Sequence, residues 1–342
     1  MRSSLSGLKP YRTPKVQGLG LQSNTNRLGA HPVHGRLGEL LTSVALNDYP
    51  DNELSALKEA LAALYDLPPE CFLITNGSNE AYDLIYKTFV NPGEAVAYPD
   101  PSFSMYPYYA HINGITPIEV PLDEDFDLDV AATLDTNAAL IVLCSPNNPT
   151  GNVLEKTRIE TVLKSGRPLA VDEAYGEFAD QDWVKRIDEF PNLMVTRTFS
   201  KAYGLAGIRL GYLVAQPEKI EWLLRVRLPY NVNTLSQAVA TAALGERGFV
   251  QKYLSMIAQQ RPAWSTALEQ RGFWVWPSQA NFVLANVPEG MDRDDFIEDL
   301  MRCGVIVRSS GAHPRLRRCV RVTIGTPKDL ETFTQALDEV LS

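Results

Sequence analysis

Residues 193–215 read LMVTRTFSKAYGLAGIRLGYLVA. Two apolar runs, 193–196 and 212–215, bracket a polar loop that carries Arg197, Thr198, Ser200 and Lys201. Arg209 follows eight residues after the lysine. Each run is short and continuous rather than alternating, which is how strands buried on both faces of a largely parallel sheet read. A loop lysine is ordinarily a solvated side chain. Lys201 instead follows a buried strand and stands between Phe199 and Ala202, which argues for a protected amine.

The same signature recurs upstream at 72–75, 95–98, 139–144 and 169–171, with helical stretches between the runs. Over 52–64, Leu54, Leu57, Leu61 and Leu64 share one helical face. Strands alternating with helices predict an α/β domain with right-handed crossovers. Beyond Pro229 a long helical stretch spans about 236–270. Strands at 273–276, 281–285, 305–307 and 320–324 follow, with helices at 293–302 and 328–341. These predict a second, smaller α/β unit. The first 50 residues are rich in Gly, Pro, Asn and Ser and read as an extended arm, irregular until about 36–46. The expected division is an arm over 1–35, a large domain over 36–235 and a small C-terminal domain over 236–342.

A chain of 342 residues is long for one core, which agrees with two domains. Its net charge of -9 offers no field for nucleic acid or an anionic membrane, so anionic ligands must be held by local Arg and Lys groups. The opening residues lack the apolar core of a secretory signal, and no stretch approaches the roughly 18 apolar residues of a membrane helix. Cys71, Cys144, Cys303 and Cys319 show no CxxC spacing, which suits reduced thiols in the cytoplasm. His31 and His34 have no third ligand in reach, so no metal is expected.

In open α/β sheets, ligands bind beyond the C-terminal strand ends. Asn76-Gly77-Ser78-Asn79-Glu80 follows the first run and opens a helix. Its backbone N–H groups make an anion site, although a plain capping box reads as well. Phe103 follows the second run on a proline-rich loop, and Ser145-Pro146-Asn147-Asn148-Pro149-Thr150-Gly151 follows the third. Asp172-Glu173-Ala174-Tyr175 follows the fourth. An acid placed there is costly without a cationic partner. These parts suit a planar anionic aldehyde, and pyridoxal 5'-phosphate (PLP) is the cofactor that needs them. Lys201 would form the imine, and Asp172 would keep the ring nitrogen protonated. Arg209, Ser200, Thr198 and the backbone at Gly77, Ser78 and Asn79 would hold the phosphate. Phe103 would stack on the ring. Asn148 and Tyr175 would bond its phenolic oxygen and lower the imine pKa.

The motifs NGSNEA, PDPSFSMY, SPNNPTG, VDEAYGEF, RTFSKAYGLAGIRLG and RVTIG resemble those of fold-type I PLP-dependent aminotransferases of class I/II, with most similarity to histidinol-phosphate aminotransferases. The resemblance runs from about Tyr11 to the end. It implies a mixed, mostly parallel sheet sandwiched by helices in the large domain, and a smaller α/β C-terminal domain. It implies that the freed Lys201 amine carries the proton between the substrate α-carbon and the cofactor. Arg321 matches the arginine that grips the substrate's anionic end, with Arg308 as its helper. Tyr49 matches a tyrosine that a homodimer passes to the neighbouring subunit's cofactor phosphate, so active sites would be shared. Tyr11 and Asn24 belong to the substrate end of the arm. That arm departs from the family's N-E-N-P-L-G, reading Asn24-Thr25-Asn26-Arg27-Leu28-Gly29. Phe103 stands where Tyr is common.

The leading expectation is transamination between L-histidinol phosphate and 2-oxoglutarate, giving imidazole-acetol phosphate and L-glutamate. An aromatic amino acid aminotransferase and a decarboxylase of phosphorylated threonine stay open. A PLP-sensing regulator ranks last, because the arm is too short and irregular for a DNA-binding module.

Overall fold

A computed structural model of the chain describes residues 8, 17–311 and 313–342. Tyr11 lies outside them. The described part of the arm holds β1 (Leu19–Gly20), and a short helix α1 (Leu37–Thr42) follows it. The helix expected from residue 52 begins slightly later, as α2 (Ser55–Tyr65). Asp51 accounts for the shift, since its carboxylate accepts from the backbone N–H groups of Glu53 and Ser55 at 2.9 and 2.8 Å. Leu54, Leu57 and Leu61 are buried, as the spacing predicts.

The central layer is built from β2 (Phe72–Thr75), α3 (Ser78–Phe89), β3 (Ala95–Asp100), α4 (Met105–Asn113), β4 (Thr116–Pro121), α5 (Val130–Asp135), β5 (Leu140–Cys144), α6 (Lys156–Leu163), β6 (Leu169–Asp172), β7 (Leu193–Thr198), β8 (Gly211–Ala215) and α7 (Pro217–Leu224). Its seven strands lie in the order β2-β8-β7-β6-β5-β3-β4. Only β8 runs against its neighbours. Strand residues alternate between two cores. Ile141 and Leu143 pack with Leu57, Leu61 and Trp183, while Leu140 and Val142 pack with Tyr82 and Tyr106. β4 was not expected from the sequence. It is an edge strand with Pro117 and Pro121, and of its residues only Val120 is buried.

The helical stretch expected over 236–270 is two helices, α8 (Thr234–Leu244) and α9 (Arg247–Glu269), with Gly245 capping the first. They precede β9 (Trp274–Val275), β10 (Phe282–Asn286), α10 (Arg293–Arg302), β11 (Val305–Ile306), β12 (Arg308–Ser309), β13 (Cys319–Thr323) and α11 (Pro327–Leu341). Strands β12-β13-β10-β9 form an antiparallel sheet. The arm joins this region. β1 pairs in parallel with β11, and Leu21 is fully buried beside Val283 and Val322. Among the described residues no helix is long and apolar enough to cross a membrane.

An ion cluster underlies the sheet edge. Arg197 donates from Nε and Nη2 to Glu173 Oε2 at 3.0 and 2.7 Å, and from Nη2 to Asp182 at 2.9 Å. Glu177 lies 3.4 Å from its Nη1. A Cβ on Gly176 would sit 3.1 Å from the guanidinium, so the turn after β6 wraps tightly around it. Removing the arginine strands buried carboxylates. Arg197→Met is expected to cost about 3–5 kcal/mol in a denaturant titration, whereas a cost below about 1 kcal/mol would show that the cluster does not hold this turn.

Candidate active site

The C-terminal ends of β2, β3, β5, β6 and β7 share one edge, because these strands run the same way. The polar loops singled out by sequence therefore converge there. Lys201 follows β7. Its Nζ donates to Ser23 O of the arm at 2.9 Å and lies 5.5 Å from the Tyr175 ring centroid. Burial, with help from the Arg321 and Arg209 charges, lowers its pKa from 10.5 to about 7, against the pull of Asp172. The amine thus loses its proton, and becomes nucleophilic, far closer to neutral pH than an ordinary lysine.

Asp172 ends β6 and is 3% exposed. Its Oδ2 accepts from Tyr106 Oη at 2.9 Å and its Oδ1 from the Ala174 N–H at 2.9 Å. Burial raises its pKa, and these bonds and Lys201 oppose the rise. Tyr106 was not read from the sequence. The available signal was an aromatic one helical turn beyond Phe103, and the two rings meet edge to face at 5.5 Å. Tyr82 braces the same spot, with its Oη 2.7 Å from Thr196 Oγ1 and its ring 5.3 Å from that of Tyr106.

The start of α3 departs from the capping-box alternative. Gly77 is the N-cap and no side chain caps the helix. Glu80 instead accepts from the Asn76 N–H and from Asn231 Nδ2. Gly77 has φ 76° and ψ 161°, a conformation essentially reserved for glycine. A Cβ there would lie 2.8 Å from Arg209 Nη2, and one on Gly211 would lie 2.5 Å from Ser78 N. Two glycines thus let an arginine and a helix N-terminus close on one point. Arg209 itself has φ 54°, a strained setting that aims its guanidinium there. Thr198 Oγ1 bonds Ser200 Oγ at 3.0 Å and accepts from the Ser200 N–H at 3.1 Å. Ser78 and Asn79 open the helix.

At the other end, Arg321 in β13 donates from Nη1 to Asn148 Oδ1 and from Nη2 to Gln22 O, both at 2.6 Å. Arg308 is its cross-strand partner. Tyr175 Oη accepts from Asn24 Nδ2 at 2.9 Å. The adjacent Asn147 is structural: it is buried and bonded to Ser102, Pro101 O and Thr150. Tyr49 is 80% exposed and stacks on Tyr230 at 4.6 Å. The donor set fits PLP: an amine of lowered pKa, a buried carboxylate, and a cradle that a Cβ on Gly77 would fill.

Residues 16–337 match the family of class I and II aminotransferases. The histidinol-phosphate aminotransferase of Parabacteroides distasonis is 39% identical, over 98% of this chain and 96% of its own. The crystal structure of histidinol-phosphate aminotransferase from Sinorhizobium meliloti, in complex with pyridoxal-5'-phosphate, is similar with a TM-score of 0.89 at 25% identity, covering 100% of this chain and 97% of that one. L-threonine-O-3-phosphate decarboxylase from Porphyromonas gingivalis shares the fold, with a TM-score of 0.82 at 24% identity over 94% of this chain and 99% of that one. The architecture is fold type I of the PLP-dependent transferases, and the chain belongs to the class I and II aminotransferase family.

Proposed function

We propose that the chain is a PLP-dependent aminotransferase that interconverts L-histidinol phosphate and 2-oxoglutarate with imidazole-acetol phosphate and L-glutamate. The supporting observation is the placing of the Lys201 amine at the sheet edge, within the fields of Asp172, Arg209 and Arg321. The relatives' names supply the substrate.

Bound PLP supplies an aldehyde that condenses with primary amines and a ring that accepts an electron pair from the substrate α-carbon. Lys201 holds the cofactor and, once released, takes the α-proton of the donor on Nζ. Asp172 presents its carboxylate to the ring nitrogen and keeps a proton there. A cationic partner offsets its desolvation. Arg209, Thr198, Ser200 and the α3 N-terminus at Gly77, Ser78 and Asn79 hold the phosphate. Phe103 covers one ring face, and Asn148 and Tyr175 bond the phenolic oxygen. Arg321 and Arg308, side by side, grip the anionic end of either substrate.

The working unit is a cytoplasmic homodimer, in which Tyr49 reaches the neighbouring active site. Tyr49 stacks on exposed Tyr230, and Leu41, Leu46 and Leu228 are exposed as well, which supports an apolar contact. Within each subunit, 36–235 is the large domain and 236–342 the small one, which the arm joins through β1.

Glutamate formed from 2-oxoglutarate and L-histidinol phosphate by the PLP-loaded protein is the expected result. Carbon dioxide released from L-threonine phosphate instead would overturn the assignment. Lys201→Ala should lower turnover by about 10²–10⁴-fold or more. In the apoprotein, borohydride trapping of PLP at Lys201 should rise with pH through about 7, because only the unprotonated amine adds to the aldehyde; an ordinary lysine would respond near 10.5. Gly77→Ala should weaken PLP binding by about tenfold in a fluorescence titration, since strain of 1–3 kcal/mol spans that factor.

A further inference from the structure

Asn24 is 1% exposed and has φ 52°, a left-handed setting that asparagine tolerates better than most residues. It is held at four points. Its N–H donates to Thr323 Oγ1 at 3.0 Å, and its carbonyl accepts from Asn281 Nδ2 at 3.0 Å. Its Oδ1 lies 3.2 Å from Thr323 Oγ1, and its Nδ2 donates to Tyr175 Oη at 2.9 Å. The preceding carbonyls, Gln22 O and Ser23 O, accept from Arg321 and Lys201. The arm thus touches three groups of the site, and Asn24 is the only one of these contacts made by an arm side chain.

A phenol has one hydrogen and two lone pairs. The Asn24 amide points a hydrogen at one lone pair, so the phenol's own hydrogen is directed elsewhere. Burial pushes the Tyr175 pKa up to about 12, so the phenol keeps that hydrogen at neutral pH. Arg321, Lys201, Asp172 and Cys144 are the other ionisable groups facing Tyr175.

We infer that Asn24 is a positioning residue that makes Tyr175 a hydrogen-bond donor toward the phenolic oxygen of bound PLP, so that docking of the arm sets the polarity of this hydroxyl. This rests on the cofactor reading above. It also takes Asn24 out of the set of side chains that meet substrate.

Two substitutions separate the donor from the backbone. Asn24→Gly permits positive φ and removes the amide. Asn24→Asp keeps the shape and exchanges the donor for an acceptor. With PLP loaded, each should raise the apparent pKa of the cofactor absorption band by about one unit, a tenfold change in proton affinity. Each should also weaken PLP binding to the apoprotein by roughly three- to tenfold, the scale of one hydrogen bond. On a Tyr175→Phe background, Asn24→Gly should add no further shift. An unchanged band in both variants, or an equal shift without the Tyr175 hydroxyl, overturns this role. A wild-type protein that shows no cofactor band overturns the cofactor reading itself, and the role with it. If one variant does not fold, the other carries the comparison.

Discussion

Asp172 is a carboxylate taken almost wholly out of water, and the site is arranged around that cost. A lone buried charge would neutralise itself by taking up a proton. Tyr106 and the Ala174 N–H stabilise the ionised form, and Lys201 adds a nearby positive charge when it is protonated. The same desolvation acts on Lys201 in the opposite sense and makes its amine nucleophilic. One dry strand edge therefore tunes an acid and a base together.

Strand alternation then assigns adjacent residues to different tasks. Asp172 and Glu173 are chemical near-twins. The first meets Tyr106, and the second meets Arg197 in the ion cluster beneath the turn that carries Tyr175. On β7 the same rule separates Arg197 from Thr196 and Thr198. Catalytic polarity and structural polarity thus share the ends of two neighbouring strands, with Glu173 just past β6, without mixing.

Much of this was legible in the residues. Six strands of the main sheet announced themselves as continuous apolar runs, and each expected polar loop lies at the shared edge. β4 did not, because an exposed edge strand has neither a continuous apolar run nor freedom from proline. The break between α8 and α9 hid in one glycine inside an otherwise helical composition. Tyr106 went unread because nothing local ties a tyrosine to a carboxylate 66 positions away. Asn24 could be located in a motif, but its partners Tyr175, Asn281 and Thr323 are joined to it only by the fold. Arg27, the departure in the arm, pairs with Asp329 at 2.8 Å. Asp329 also caps α11 in a box with Thr326. The change therefore fastens the arm to the last helix.

The arm's attachment has a consequence for biogenesis. Asn24 and Thr323 are separated by 299 positions. At roughly 5–20 residues per second, the ribosome makes the first about 15–60 s before the second. During that interval all seven strands of the main sheet have been translated, while the arm still lacks the strands it will join. Maturation thus has a built-in sequence: the cofactor bed can form on the nascent chain, and the arm arrives only after the C-terminal strands leave the exit tunnel.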